Sequence, residues 1–301
     1  MICSVSDNSS IWIWPKNKMT EAIPDSYKGL EEFFNSFYAP FKTLYFSRGR
    51  VAITAILESI EASRNDLVFI QPYSSYCVQS AISKVSTPLT IHPEDSKYQI
   101  VYHNFGKKAI ADRSVFKNVI IEDSVDSLVI SNEETELFPN GGDYAIFSLS
   151  KLLHLPFGSI VVCRTDEAYS KLKNSNLRRQ GGGDYNLIKN QIYTDIILYN
   201  NPTLIPLLDN KLDSDVISKM FYLAKERIET NVNELSAILN KDLKTRGRLP
   251  SNIFSSEEFP SELYEKYDVE VKQRHIFDYT QGCSINVYLF PVHIDVEIKS
   301  K

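Results

Sequence analysis

Three short segments of this chain carry residue types that could do chemistry together. Ser47-Arg48-Gly49-Arg50 opens a stretch of helical spacing, Val119-Ile120-Ile121-Glu122-Asp123 is an apolar run ending in two carboxylates, and Phe147-Ser148-Leu149-Ser150-Lys151 leads from apolar residues to hydroxyls and a lysine. Each has an ordinary structural reading. A glycine before a helix is a turn, an aspartate after a strand caps the next helical segment, and a lysine after a strand is solvated. Taken together they fit a more demanding task. The N–H groups at a helix N-terminus bind phosphate. A carboxylate can keep a ring nitrogen protonated, and a lysine amine can form a Schiff base with an aldehyde.

The surrounding pattern supplies elements to position them. Val51, Ala55, Ile56 and Ile60 recur at helical spacing over 51–63, and a second helix is expected over 77–85. Short apolar or β-branched runs at 67–71, 100–103, 119–122, 144–148 and 159–163, each bounded by polar or glycine turns, read as strands. Buried strands separated by helical crossovers imply a mostly parallel sheet covered on both faces. In such sheets ligands sit outside the carboxyl ends of the strands, where all three segments fall. Ile217, Phe221, Ala224, Ile228, Val232, Leu235 and Leu239 make 215–240 one long amphipathic helix. The expected organisation is an aromatic-rich N-terminal arm (1–46, with a short helix around 27–37), a large α/β domain (47–212), and a linking helix with a small α+β lobe (213–301).

Composition bounds the rest. The chain has 301 residues, 43% hydrophobic and 24% charged, enough to bury a core without disulfide or metal. A net charge of −5 argues against nucleic acid or an anionic membrane surface as partner. The first residues lack a basic segment followed by an apolar one, and no apolar run approaches the ~18 residues that span a bilayer. A cytoplasmic protein is therefore expected, with its four cysteines reduced. Neither these nor the five histidines have metal-ligand spacing, so no metal is expected.

A helix N-terminus, an acid and a lysine fit the phosphate, ring nitrogen and aldehyde of pyridoxal 5'-phosphate. The chain resembles the fold-type-I pyridoxal-phosphate enzymes, in particular the DegT/StrS sugar aminotransferase group. The motifs that carry the resemblance lie within about 40–165. Arg48-Gly49-Arg50 falls on the group's phosphate loop, and Asn65-Asp66-Leu67-Val68-Phe69-Ile70-Gln71-Pro72 is similar to its Gly-Asp-Glu-Val-Ile-x-x-Pro segment. Val101-Tyr102-His103-Asn104-Phe105-Gly106 is similar to its Val-His-x-x-Gly turn. Glu122-Asp123 matches its Glu-Asp pair, and Gly142-Asp143 through Lys151 and Gly158 matches the lysine segment. Phe290-Pro291-Val292-His293 is similar to its closing stretch.

The resemblance implies a three-layer α/β fold of type I. It implies an aminotransferase that passes an amino group, with glutamate as donor, to a keto-sugar nucleotide or related carbonyl compound, and a homodimer that shares its sites. Lys151 would form the Schiff base and shuttle protons, Asp123 would hold the pyridinium, and Tyr76 would stack on the ring. Gly49, Arg50 and Ser148, with Arg48 beside them, would hold the phosphate. His103 would lie near the ring or substrate, although a satisfied core histidine is the simpler reading.

Some positions depart from the group. Asp126 stands where a glutamine near the cofactor phenolate is usual. Arginines flank Gly49 in place of small hydroxyl residues. The usual Gly-x-Asn-x-Arg segment has only Gly181-Gly182-Gly183-Asp184-Tyr185-Asn186 as a counterpart, without the arginine. These departures leave two alternatives: a non-catalytic binding or assembly protein on the same fold, or an enzyme of another reaction type such as a lyase. Ser148-x-x-Lys151 also fits an acyl-enzyme motif, but its companions Ser-Asp-Asn and Lys-Thr-Gly are absent from the sequence. The basic run 164–179 reads as a solvated helix face, with contact to nucleotide phosphates through Arg178 as the functional alternative.

Overall fold

The computed structural model describes residues 28–46, 48–153, 158–179, 214–267, 271–279 and 281–293. Among the described residues, eight strands and six α-helices form the large unit around the site. The strands are β1 (Lys42–Phe46), β2 (Leu67–Phe69), β3 (Thr87–Leu89), β4 (Tyr98–Tyr102), β5 (Val119–Asp123), β6 (Ser127–Val129), β7 (Tyr144–Ser148) and β8 (Ser159–Cys163). The helices are α1 (Lys28–Phe37), α2 (Gly49–Ser59), α3 (Tyr76–Ile82), α4 (Glu134–Leu137) and α5 (Leu149–Leu152), with α6 (Asp166–Arg179) following β8.

Seven of the strands make one sheet in the order β1-β8-β7-β5-β4-β2-β3. The pairs from β7 through β3 are parallel, and β8 runs antiparallel to both of its neighbours. This is the expected mostly parallel α/β sheet with one reversed strand. Residues 42–46, expected from the sequence at the end of an arm, are the edge strand β1.

The side chains alternate across the sheet as a pleat requires. Leu44, Phe46, Ile146 and Val161 face a core closed by α2, α3 and α6. Tyr45, Ala145, Phe147, Ile160 and Val162 face the opposite core, closed by α1 and by the long helix α7 (Ser214–Leu239). Every heptad-like position of α7 from Ile217 to Leu235 that the periodicity marks is buried. Phe221 is fully buried and meets Phe33 and Phe37 of α1 at ring distances of 5.5 and 4.6 Å. These are three layers, α/β/α.

Beyond α7 the chain forms β9 (Arg248–Pro250), β10 (Asn252–Ser255), the helix α8 (Ser261–Lys266), β11 (Lys272–Asp278) and β12 (Cys283–Pro291). Strands β10, β12 and β11 make a small antiparallel sheet, the expected α+β lobe. β9 pairs with β6, so the lobe is stitched to the turn after β5. Glycine is required at one point of that seam. Gly106 has φ +96°, and a Cβ there would lie 2.4 Å from Pro250 Cα and 2.5 Å from the Asp126 carbonyl oxygen.

Candidate active site

The carboxyl ends of β4, β5 and β7 converge on one region, and the N-termini of α2 and α5 open onto it. Asp123 is the last residue of β5 and is 3% exposed. Its carboxylate accepts a hydrogen bond from Val125 N–H at 3.3 Å. Burial, and then the charge of Asp126, push its carboxyl up to about 7, while Lys151 and the Val125 N–H pull the other way.

Lys151 lies in the single turn of α5, directly after β7. Its Nζ donates to Asp126 Oδ1 at 2.7 Å. Burial draws the ammonium down, but the charge and hydrogen bond of Asp126, then the charges of Asp123 and Cys77, outweigh it and hold Lys151 above the usual lysine range. The acid and the lysine singled out from the sequence therefore border the same site, close enough to feel each other's charge.

Asp126 sits after β5 in a tight turn, with Ser127 N–H donating to the Ser124 carbonyl at 3.0 Å. Tyr102, at the end of β4, donates its hydroxyl to Asp126 Oδ2. Burial and the neighbouring Asp126 hold the Tyr102 phenol well above its usual range. The Tyr102 backbone N–H donates to Tyr279 Oη at 3.3 Å, and Tyr279 donates to Gln71 Oε1 at 3.1 Å, which ties the small lobe to the site wall.

Gly49 and Arg50 form the first turn of α2, and Arg48 precedes them in extended conformation. The Arg48 carbonyl accepts from Val51 and Ala52 N–H at 3.0 and 3.1 Å. A Cβ on Gly49 would lie 3.6 Å from Val125 and 3.8 Å from Ser159 Oγ, so this helix end stands beside the Asp123–Asp126 turn. Ser148 caps β7 and lies 3.1 Å, Oγ to Oγ, from Ser150. Tyr76 opens α3 beside Cys77, and its ring is 81% exposed.

His103 is turned away from this group. It is fully buried, accepts the Ala109 N–H at Nδ1 (3.0 Å), and so donates from Nε2 to Glu122 Oε2 at 3.2 Å. Burial and the nearby Arg248 guanidinium lower it to about 4, keeping the ring neutral. Glu122 is also reached by Asn140 N–H (2.8 Å), Asn140 Nδ2 (3.0 Å) and Gly142 N–H (3.0 Å). Burial raises the Glu122 carboxyl, yet the His103, Asn140 and Gly142 bonds outweigh it and leave it below the usual range. The adjacent acids thus differ in setting: Glu122 is saturated with donors inside the fold, and Asp123 faces the site with few.

Three participants carry no local sequence signal of their own: Tyr102 as the partner of Asp126, Tyr279 from the far lobe, and Arg248. Arg248 is buried and donates to Ser124 Oγ and Ser127 Oγ at 2.9 and 3.2 Å, bracing the turn that holds Asp126. In the basic run, Arg164 pairs with Asp143 at 2.9 Å and Lys171 with Glu167 at 2.7 Å. The side chain of Arg178 and residues 181–186 lie outside the described residues, as does Ser47. His293 donates from Nδ1 to the Ser251 carbonyl at 2.8 Å, behind the seam between lobe and sheet. Among the described residues no His, Cys, Asp or Glu cluster could hold a metal, and no helix is long and apolar enough to cross a membrane.

Several solved aminotransferase structures share this architecture. A DegT DnrJ EryC1 StrS aminotransferase from Brucella abortus superposes with TM-score 0.54 at 11% identity, over 90% of this chain and 86% of that one. A Streptococcus pneumoniae protein described as "Putative sugar aminotransferase Spr1654" gives TM-score 0.52 at 14% identity, over 94% and 88%. DesV of S. venezuelae gives 0.50 at 14%, over 80% and 71%. At these identities the likeness is one of fold. Among curated proteins none matches the sequence. A sequence family does match, over residues 30–300, and it is described as "Putative PLP-dependent aminotransferase". This chain belongs to that family, the pyridoxal-phosphate-dependent aminotransferases of fold type I.

Proposed function

We propose that this aminotransferase uses Lys151 as its cofactor lysine and aminates a keto-sugar nucleotide or a related carbonyl compound, with glutamate as donor. The observation that carries the reading is the ion pair of Lys151 with Asp126, in the turn that follows Asp123 at the end of β5 and lies beside the N-terminus of α2. The donor set fits pyridoxal phosphate. Asp123 is a buried acid with few bonds of its own, suited to a protonated ring nitrogen. Gly49, Arg50 and Ser148 offer N–H and hydroxyl donors for a phosphate, and Arg48 stands beside them. Tyr76 offers an open aromatic face. When bound, the cofactor supplies an aldehyde for the Lys151 amine and a ring that draws electrons from the substrate. Lys151 then carries protons at its Nζ, Asp123 holds the charge on the ring nitrogen, and His103 with Glu122 fixes the strand ends behind them.

The sugar class rests on the DegT/StrS-like motifs and on the kinds of protein that share the fold. A homodimer in the cytoplasm completes the proposal. Exposed Tyr222 and Leu223 on α7 offer apolar surface for a second copy. Purified protein given pyridoxal phosphate should develop an absorbance band that borohydride fixes to Lys151 and that Lys151→Ala abolishes. Added glutamate should then convert the band to that of the amine form of the cofactor. Absence of a band overturns the reading. A band that glutamate leaves unchanged overturns the donor and favours the non-catalytic alternative. Sedimentation as a monomer overturns the dimer.

A further inference from the structure

Asp126 does more than occupy an unusual position. Its carboxylate is 1% exposed, and both oxygens are engaged, Oδ1 by Lys151 Nζ at 2.7 Å and Oδ2 by the Tyr102 hydroxyl. Neither partner is placed by chance. The Asp126 carbonyl accepts Ser251 N–H at 2.9 Å, and Gly106 lies against the same carbonyl. The Tyr102 hydroxyl accepts Phe105 N–H at 3.3 Å while the Tyr102 N–H is held by Tyr279. Turning the carboxylate away would break two bonds, one to Lys151 of α5 and one to Tyr102 of β4. Among the described residues, Asp123 from the end of β5 and Cys77 from α3 also act on the lysine. Around Tyr102, among the described residues, lie Asp126, Asp123 and the Tyr279 phenol.

Only a free amine attacks an aldehyde, and a carboxylate at ion-pair distance favours the ammonium. We propose that Asp126, oriented by Tyr102, gates cofactor loading: it keeps Lys151 as the ammonium in the cofactor-free protein, so loading requires release of a proton and quickens at alkaline pH. This rests on the reading of Lys151 as the cofactor lysine. The step balances: the surplus proton of the ammonium goes to solvent, Nζ bonds to the aldehyde carbon, and the aldehyde oxygen leaves as water. Asp126 touches the reacting nitrogen. Tyr102 is a positioning residue that acts through Asp126, and its hydrogen bond draws charge from the carboxylate and tempers the hold.

The test uses the full chain without cofactor. Trace labelling with acetic anhydride from pH 6 to 11, read by peptide mass spectrometry, gives the reactivity of Lys151 relative to the exposed Lys84. Asp126→Asn should raise relative labelling of Lys151 at pH 8 by about tenfold. Asp126→Glu, which keeps the charge, should stay near wild type, and Tyr102→Phe should label more slowly than wild type. Far-UV circular dichroism checks the fold of each variant, and if Asp126→Asn fails to fold, the other two decide. An unchanged profile in Asp126→Asn, an Asp126→Glu profile well above wild type, or faster labelling in Tyr102→Phe overturns the proposal. Because no cofactor is added, these outcomes are independent of whether pyridoxal phosphate binds.

Discussion

Replacing Asp123 by asparagine should make the cofactor-free protein more stable, and more so as pH rises. The carboxyl is 3% exposed and is pushed from an ordinary value of 3.8 up to about 7, first by burial and then by Asp126. The folded protein therefore retains a proton that the unfolded chain has already lost. Between about pH 4 and pH 7 that difference makes stability fall as pH rises, and above pH 7 the loss is complete. At about 1.4 kcal/mol per pH unit the gap amounts to roughly 4 kcal/mol, an upper figure because the site can relax or admit water. An asparagine of the same shape carries no such penalty. Urea denaturation of both proteins at pH 5, 6, 7 and 8 gives the test: the variant's advantage should grow across this range and then level off. Stability curves that run parallel with pH would refute the argument, since they would mean that Asp123 ionises as freely in the fold as in the open chain. On the assignment of Asp123 to the ring nitrogen, the same substitution should weaken pyridoxal phosphate binding, because a neutral amide supplies no counter-charge to a protonated ring nitrogen.

Other consequences are open to the same kind of measurement. Gly106→Ala places a methyl group 2.4 Å from Pro250 Cα at a φ of +96°, so it should cost more than about 2 kcal/mol in denaturant unfolding; an unshifted midpoint contradicts the packing described. Glu122→Gln brings an amide into a cluster of donors, setting it against His103 or the backbone, and should destabilise by about 2 kcal/mol with little dependence on added pyridoxal phosphate. Tyr76→Ala removes an 81% exposed ring, so stability should change by less than about 0.5 kcal/mol. On the stacking assignment it should nevertheless weaken pyridoxal phosphate binding by up to about tenfold in a spectroscopic titration. Unaltered binding would remove Tyr76 from the site.

Much of the frame is legible in the sequence because its strands are buried on both faces. Tyr144–Ser148 and Ser159–Cys163 read as unbroken apolar runs, and both are strands with those bounds. The spacing of Ile217 to Leu235 likewise marks the buried stripe of α7. Edge elements are harder to read. Lys42–Phe46 begins with polar residues and, among the described residues, pairs only with β8, more than a hundred positions later, so nothing local separates it from an arm. Thr87–Leu89 holds a central proline, tolerated because β3 is the outer strand. The β6–β9 pair joins residues that no local pattern connects.

The site divides along the same line, between what strand ends reveal and what only turns and distant lobes bring together. Asp123 and Lys151 sit where a strand runs out, so their placement is set by the strands. The unusual residue at 126 is visible as a substitution, and taken alone it suggests an unfavourable charge. In the fold that charge is placed against Lys151 and Tyr102, and its effect reaches Asp123, where it is the second cause, after burial, of the raised carboxyl. Two acids three positions apart thereby come to different settings without any difference in residue type. One is paired with a cation, and the other holds a proton near neutral pH. On the proposed assignment, Asp123 would hold the ring nitrogen of the cofactor and supply its counter-charge. On this argument Asp126→Asn should act at both ends of the site, freeing the amine of Lys151 and lowering the Asp123 carboxyl toward its ordinary range. The pH-dependent stability lost through Asp123 should then be smaller in the Asp126→Asn protein than in wild type. Equal slopes in the two proteins would separate the acids and leave burial alone to explain Asp123.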